Sequence, residues 1–210
     1  MAKGHRHLLW LTVFGLLFVL YPNVCCSEPE TALCLSEDER AALHLIARTT
    51  VDRAVRGEKI PSFSISSDRL EEHRGAFVTL KKGGQLRGCV GCLVGRMPLC
   101  ETVQKMAVHA ATLDPRFPPL SLHELPSIEI EISVLSLLKR VERIEDIVVG
   151  THGLVLVYGN RSGVLLPQVA VENGWDRKAL LEGVSWKAGL PKDTWKSPDS
   201  RIFIFTAEVF

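Results

Sequence analysis

Residues 128–135 of the chain, IEIEISVL, alternate apolar and polar side chains almost without interruption. A period of two residues is the pattern of a β-strand that buries one face and leaves the other polar. A segment of this kind needs neighbouring strands to pair with its backbone and a second layer to cover its apolar side chains. The chain must therefore build a layered structure that contains at least one sheet.

Other segments supply possible partners for this strand. Five further runs have a strand-like composition, at residues 77–82, 85–90, 154–159, 163–167 and 201–210. The first two flank Gly83 and Gly84, and a glycine pair between two such runs is typical of a hairpin. The third and fourth runs form a second predicted hairpin around Asn160, Arg161 and Ser162.

Three helices are predicted between start and stop signals, from Ser36 to Gly57, from Pro98 to Asp114 and from Asp176 to Gly189. The first begins with the spacing of a capping box, in which Ser36 and Glu39 satisfy each other's backbone N–H groups. Hairpins mixed with helices predict an α+β fold, a single domain of mostly antiparallel sheet with flanking helices. Hydrophobic residues make up 46% of the chain, which is enough for one core of this size.

The N-terminal residues 1–26 have a different character. Lys3 and Arg6 precede an uncharged apolar run at residues 8–20, and acidic residues follow Cys26. This order predicts a secretory signal peptide or an N-terminal membrane anchor, and hence an exported, periplasmic or extracellular protein. The alternative is a cytoplasmic protein with a buried N-terminal helix. The whole chain has a formal charge of +1, so without the two N-terminal cations it has −1, and no nucleic-acid partner is expected.

The stretch LRGCVGC at residues 86–92 combines an arginine, two glycines and two cysteines. On a regular strand Arg87 and Cys89 would lie side by side, with Leu86 on the opposite face, and a guanidinium favours the thiolate of a neighbouring cysteine. Gly88 and Gly91 would let another backbone or a ligand come close. In the other interpretation, Cys89 is a small buried hydrophobic residue below a glycine-lined crossing.

Cys89 and Cys92 also match the C-x-x-C pattern of redox pairs and zinc sites. Residues three apart on a strand face opposite ways, whereas a disulfide needs its β-carbons within about 4.5 Å, so Cys89 is expected to remain a free thiol. Additional zinc ligands would have to come from Cys100 and His109, which face opposite sides of a helix. No metal site and no cofactor are predicted.

A second cluster of polar residues lies in a proline-rich loop. Asp114 and Arg116 are held in a segment that Pro115, Pro118 and Pro119 make stiff, and a rigid loop loses less entropy when it binds a ligand. An internal ion pair that only fixes the loop explains the same residues equally well.

Two further sets of polar side chains invite a catalytic interpretation. Glu129, Glu131 and Ser133 share one face of the strand, which is more simply a solvated outer face. His152 is best interpreted as a turn histidine at the start of a strand.

Several short motifs resemble those of one known family. They are LRGCVG at 86–91, DPRFPPL at 114–120, IEISVL at 130–135 and, further along, LLPQVA, GWD and KAGLP. In this order they resemble the AMMECR-type domain, which in bacteria and archaea is protein A of the AmmeMemoRadiSam system. The resemblance covers about residues 35–210. It implies a two-lobed α+β domain in which the LRGC stretch lines a cleft between a larger and a smaller lobe.

Carried over position by position, the resemblance implies two groups of site residues: Arg87, Gly88, Cys89 and Gly91, then Asp114, Arg116 and Phe117. It implies no reaction. The name of the system records association with a Memo-like protein and a radical-SAM protein, which are the implied partners. Iron–sulfur chemistry of the radical-SAM type belongs in a reducing compartment, so an exported chain would not meet that partner.

Three classes of function remain open from the sequence. A binding module would hold a small anionic ligand or a partner in the cleft, with Arg87 and Arg116 as cationic anchors. A cysteine-dependent enzyme would use Cys89 as its nucleophile and would need a nearby base. A protein-interaction domain would need neither. The binding module is favoured, because the residues supply cations and backbone access but no complete catalytic set.

Overall fold

The computed structural model describes residues 34–63 and 67–210. Its helices are α1 (Glu37–Arg56), α2 (Asp68–Glu71), α3 (Leu99–Thr112), α4 (Pro167–Glu172) and α5 (Arg177–Lys187). Its strands are β1 (Ala76–Lys82), β2 (Gln85–Cys92), β3 (Ile128–Leu135), β4 (Lys139–Arg140), β5 (Gly153–Tyr158), β6 (Arg161–Leu165), β7 (Arg201–Phe205) and β8 (Ala207–Val209).

The strands form two four-stranded sheets. The first sheet has the order β2-β1-β3-β8 and the second the order β4-β7-β5-β6. The pairings are antiparallel in both sheets. The predicted α+β class, with two lobes and mostly antiparallel sheet, is confirmed.

Helices α1 and α3 pack together and cover one face of the first sheet. The side chains that alternate inward from β1 and β3, among them Val78 and Ile132, are fully buried against these helices. Helix α1 begins at the predicted capping box, where Ser36 Oγ accepts from the Glu39 N–H and Glu39 Oε2 accepts from the Ser36 N–H. It ends at Gly57, whose positive φ of 68° is a conformation that glycine adopts without strain.

The second sheet is covered by α5, whose N-cap Asp176 accepts from the Ala179 N–H as the sequence predicts. The strand predicted over residues 163–167 is displaced by two residues, since β6 already begins at Arg161. It ends at Leu165, because Pro167 occupies the first turn of α4, where its fixed φ suits a helix and its missing N–H costs nothing. The short helices α2 and α4 have too few residues to show a helical period in the sequence.

The prediction of one closing strand over residues 201–210 is wrong. The segment divides at Thr206 into β7, which belongs to the second sheet, and β8, which pairs with β3 in the first. At the crossing the Thr206 N–H donates to Ser136 Oγ at 2.9 Å, and the Ser136 N–H donates to the Thr206 carbonyl at 3.0 Å. Two hydrogen-bonded chain segments therefore join the lobes.

A shared apolar cluster fills the region where the two sheets meet. Its buried residues are Leu135, Val155 and Phe205, and Phe77 of β1 packs at its margin. Because the cluster takes side chains from both sheets, the lobes share part of their hydrophobic stabilisation.

The predicted signal peptide or anchor at residues 1–26 lies outside the described residues. Among residues 34–63 and 67–210, no helix combines the length and the apolar character needed to cross a membrane.

Candidate functional site

The LRGCVGC stretch lies in β2, at the edge of the first sheet. The register of β2 against β1 shifts between Leu80, which pairs with Gly88, and Lys81, which pairs with Leu86. Arg87 is therefore the additional residue of a β-bulge. The bulge interrupts the simple alternation of side chains, so the expected placement of Leu86 on the face opposite Cys89 is wrong.

The two glycines of the motif are explained by close packing. A β-carbon on Gly88 would lie 2.3 Å from the carbonyl oxygen of Ala110 in α3, so the strand backbone rests directly on the helix. A β-carbon on Gly91 would lie 2.2 Å from the ring of Phe77 and 2.6 Å from the Ala76 carbonyl oxygen. The expected close approach of another backbone is confirmed for both positions.

Asp114 and Arg116 bind the free edge of β2. The Cys89 N–H donates to Asp114 Oδ2 at 2.8 Å, and the Cys89 carbonyl accepts from Arg116 Nη2 at 3.0 Å. Asp114 and Arg116 also form an ion pair, with Nε to Oδ1 at 3.0 Å and Nη2 to Oδ2 at 2.7 Å. The pair thus completes the hydrogen bonds of an edge strand and joins the two motif clusters that the sequence separates.

The Asp114 carboxylate is buried, and the pKa of this group is held well below its usual range. The main cause is its hydrogen bonding to the Arg116 guanidinium, to which the backbone N–H groups of Cys89 and Arg116 add. The same contacts raise the pKa of the Arg116 guanidinium. Asp114 is therefore charged at neutral pH and acts as a structural acceptor.

Arg87 is held by a partner that the sequence analysis missed. Its Nε donates to Glu124 Oε1 at 2.9 Å, its Nη2 to Glu124 Oε2 at 3.0 Å, and its Nη1 to the Pro118 carbonyl at 3.0 Å. Only 14% of the Arg87 side chain is exposed. The serine three residues before Glu124, Ser121, was a possible signal, because its N–H and Oγ both donate to Glu124 Oε2.

Phe117 contacts both arginines of the site. Its ring centroid lies 5.9 Å from the Arg87 guanidinium carbon and 5.5 Å from that of Arg116. These distances are typical of cation–π pairs. The two arginines differ in accessibility, because 53% of the Arg116 side chain is exposed. Among the described hydrogen bonds, none uses Arg116 Nη1, whereas all three nitrogens of the Arg87 guanidinium are occupied.

The Cys89 thiol lies on the face of the first sheet that does not carry the helices. There it accepts a hydrogen bond from Thr79 Oγ1 at 3.3 Å. Cys92 pairs with Ala76, three positions from the Thr79–Cys89 pair, and so faces the opposite side, as predicted. The described cysteines, Cys34, Cys89, Cys92 and Cys100, are free. In the same part of the chain, no group of three or more His, Cys, Asp or Glu side chains is arranged to hold a metal ion.

The other polar candidates are accounted for by contacts within the fold. Glu131 pairs with Lys81 at 2.7 Å, and Ser133 is only 4% exposed, so the predicted solvated face is wrong at that position, where β8 pairs with β3. His152 lies in the turn before β5, as expected, and its Nδ1 accepts from the Val148 N–H. Burial lowers the pKa of His152.

Stability should depend on pH because of the two paired carboxylates. The pKa of Glu124 is also lowered, chiefly by hydrogen bonding to Arg87. For both Asp114 and Glu124 the folded-state pKa lies below the unfolded value. The stabilisation is therefore fully present above the unfolded values of about 4 and is lost as the pH falls towards the folded ones.

Urea unfolding between pH 7 and pH 2.5 would measure this dependence. The native chain should lose stability steeply below about pH 4. The double variant D114N/E124Q should be less stable at pH 7 and should show a flatter decline. Equal slopes for the two proteins would contradict the assignment.

The fold and site define a class of protein: a two-lobed α+β domain whose edge strand carries a bulged arginine–glycine–cysteine motif bound by an Asp–Arg loop. The family model for AMMECR1 matches residues 44–210, and the chain belongs to this family.

Relatives and a solved structure agree with this assignment. Protein MK0488 of Methanopyrus kandleri is 43% identical over 183 residues, which cover 83% of this chain and 88% of that protein. Protein PF1979 of Pyrococcus furiosus is 40% identical over 176 residues, covering 79% and 84%. The crystal structure of the uncharacterized protein PH0010 from Pyrococcus horikoshii superimposes with a TM-score of 0.72 at 38% identity, covering 80% of this chain and 88% of that one.

Proposed function

We propose that this protein is a binding module whose site surrounds the LRGCVG motif, at the edge of the first sheet. The ligand is a small anion, or an anionic group of a partner, and its main contact is Arg116. The observation that carries the proposal is the half-exposed Arg116 guanidinium, which is fixed by Asp114 and the Cys89 carbonyl while its Nη1 keeps its hydrogen-bonding capacity. A pre-positioned guanidinium loses little entropy when it binds an oxyanion.

Arg87 is not a ligand anchor in this proposal, although the sequence suggested that role. Because all three nitrogens of its guanidinium are occupied and only 14% of its side chain is exposed, Arg87 positions the 114–124 loop rather than contacting the ligand. Phe117 packs against both guanidinium groups and keeps Arg116 close to the strand. Gly88 and Gly91 shape the site from within, since they allow α3 and Phe77 to approach β2.

A cysteine-dependent reaction has less support. Thr79 Oγ1 donates a hydrogen bond to the Cys89 thiol, and no described hydrogen bond connects Cys89 to a histidine that could act as a base. A nucleophilic cysteine requires such a base or an equivalent activating group. The Memo-like and radical-SAM proteins remain proposed partners for a chain in the cytoplasm. Export through residues 1–26 remains the proposed route if that segment acts as a signal peptide.

Titration with inorganic phosphate would test the role of Arg116. We expect R116Q to weaken phosphate binding about tenfold or more, because a charge-assisted hydrogen bond contributes about 1.5–3 kcal/mol. The matched variant R143Q removes an arginine whose side chain is 74% exposed in the other lobe, so it should bind phosphate as tightly as the native chain. If both variants lost binding equally, or if the native chain bound no phosphate, the proposed role of Arg116 would be wrong.

Mass spectrometry of the purified native protein would identify a retained small molecule and the state of each cysteine. C89S should retain the molecule, since it preserves the size of the side chain and removes only thiolate chemistry. Complete loss in C89S, together with rapid alkylation of Cys89 in the native chain, would instead favour the cysteine-dependent enzyme.

A further inference from the structure

A cavity lies on the helix side of β2, at the end of the strand that carries Cys92. Its volume is about 370 Å³, and its walls include Cys92, Val94, Met97, Thr102 and Met106. Cys92 faces this cavity because it lies on the helix side of the sheet, opposite to Cys89. The cavity is therefore separate from the Arg116 site.

Apolar atoms and two flexible methionines dominate the cavity. Met97 lies on the loop between β2 and α3, and Met106 lies on the second turn of that helix and is nearly buried. Thioether side chains are unbranched and adapt to ligands of irregular shape. Val94 is 58% exposed on the same loop, which leaves an apolar rim open to solvent. These features suit a ligand with a hydrocarbon body.

Two cations border the cavity. Arg96 and Lys105 both line it, and both are exposed. Within residues 34–63 and 67–210, neither residue takes part in an ion pair with a carboxylate closer than 4.0 Å. Apolar walls with a pair of uncompensated cations at the rim match a molecule that carries an anionic head on an apolar chain.

The space available to the hydrocarbon part of such a ligand continues along α3. A neighbouring cavity of about 470 Å³ shares Met97 and Lys105 with the first and is lined further by Ile60, Phe63 and Cys100. The Gln104 side chain donates to the Pro61 carbonyl at 2.9 Å and so ties the segment before α2 to this helix. Glu101 also borders the second cavity, which disfavours an anion there and places the anionic head at Arg96 and Lys105.

We infer that this cavity binds an amphipathic carboxylate, such as a medium-chain fatty acid, with its carboxylate between Arg96 and Lys105 and its chain against Met97 and Met106. The inference is independent of the proposed anion site at Arg116, because that site lies at the free edge of β2 beside Cys89, whereas the cavity lies on the helix face of the strand beside Cys92.

The thiol of Cys92 provides a direct readout of occupancy. The full chain would be alkylated with iodoacetamide with and without decanoate, and the rate at each cysteine followed by peptide mass spectrometry. At a decanoate concentration of ten times Kd, labelling of Cys92 should slow about tenfold by mass action. The exposed Cys34 and the Cys89 thiol on the opposite face should react at unchanged rates.

Three variants and an uncharged analogue separate the contributions of charge and volume. R96A/K105A should lose most of the protection, whereas K187A, which removes an exposed lysine of the other lobe, should keep it. Decanol should protect Cys92 much less than decanoate, and V94W, which narrows the rim at an exposed position, should weaken protection by either. Absence of protection at Cys92, equal protection of all cysteines, or full protection in R96A/K105A would each overturn the inference.

Discussion

Gly88→Ala is expected to destabilise the fold by about 3 kcal/mol or to prevent folding, which is at the upper end of the cost of overpacking a core. The added β-carbon would lie 2.3 Å from the Ala110 carbonyl oxygen, and the obstacle is the backbone of the last turn of α3. Both contacting groups belong to the backbone, so no change of side-chain rotamer can relieve the clash. Helix α3 would therefore have to separate from β2. Urea unfolding monitored by circular dichroism would measure the loss.

Leu86→Ala in the same strand is the matched control. Leu86 is substantially exposed, so its truncation should change stability much less than the single methyl group added at Gly88. If G88A and L86A were equally stable, the close contact between β2 and α3 would be wrong.

The elements of this fold are predictable where the signal is local. The capping box of Ser36 and Glu39 marked the start of α1, and Gly83–Gly84 marked the β1–β2 turn, where both glycines have positive φ. The alternation in residues 128–135 identified β3 to its exact ends. In each case the residues that determine the structure lie within one turn or one strand, so no distant contact is needed to interpret them.

Features that depend on distant contacts were not predictable. The bulge at Arg87 reflects pairing between β1 and β2, and the division of the last strand at Thr206 reflects the position of a second sheet. A period of two residues continues across such a division, because both halves are strands. The sequence therefore shows extended structure there without showing which sheet it joins.

The candidate site was predicted as a set of residues but not as an arrangement. The LRGCVG and DPRFPPL segments do meet, yet Arg87 and Arg116 look equivalent in the sequence and differ in the structure. Glu124, 37 residues away, pairs with an Arg87 side chain that is 14% exposed, whereas Asp114 pairs with an Arg116 side chain that is 53% exposed. Which of two cations is available to a ligand depends on partners that only the folded chain brings together.

Asp114→Ala is expected to cost about 3 kcal/mol, the lower end of the range for breaking a buried ion pair, because Arg116 is half exposed and can be hydrated once its partner is removed. The variant also deprives the Cys89 N–H and the Arg116 backbone N–H of their acceptor. The edge of β2 and the 114–120 loop would thus lose their connection together. Hydrogen exchange at the Cys89 amide should accelerate more than exchange in the second sheet.

Asp146→Ala provides the control for Asp114→Ala. Asp146 also pairs with an arginine close in sequence, Arg143, at 2.8 Å, but both side chains of that pair are largely exposed. An exposed ion pair is only slightly more stable than its two ions hydrated separately. D146A should therefore unfold at nearly the same urea concentration as the native chain. The comparison isolates burial, since both substitutions remove one carboxylate from one Asp–Arg pair. Equal stability of D114A and D146A would mean that Asp114 does not hold the loop against the edge of β2.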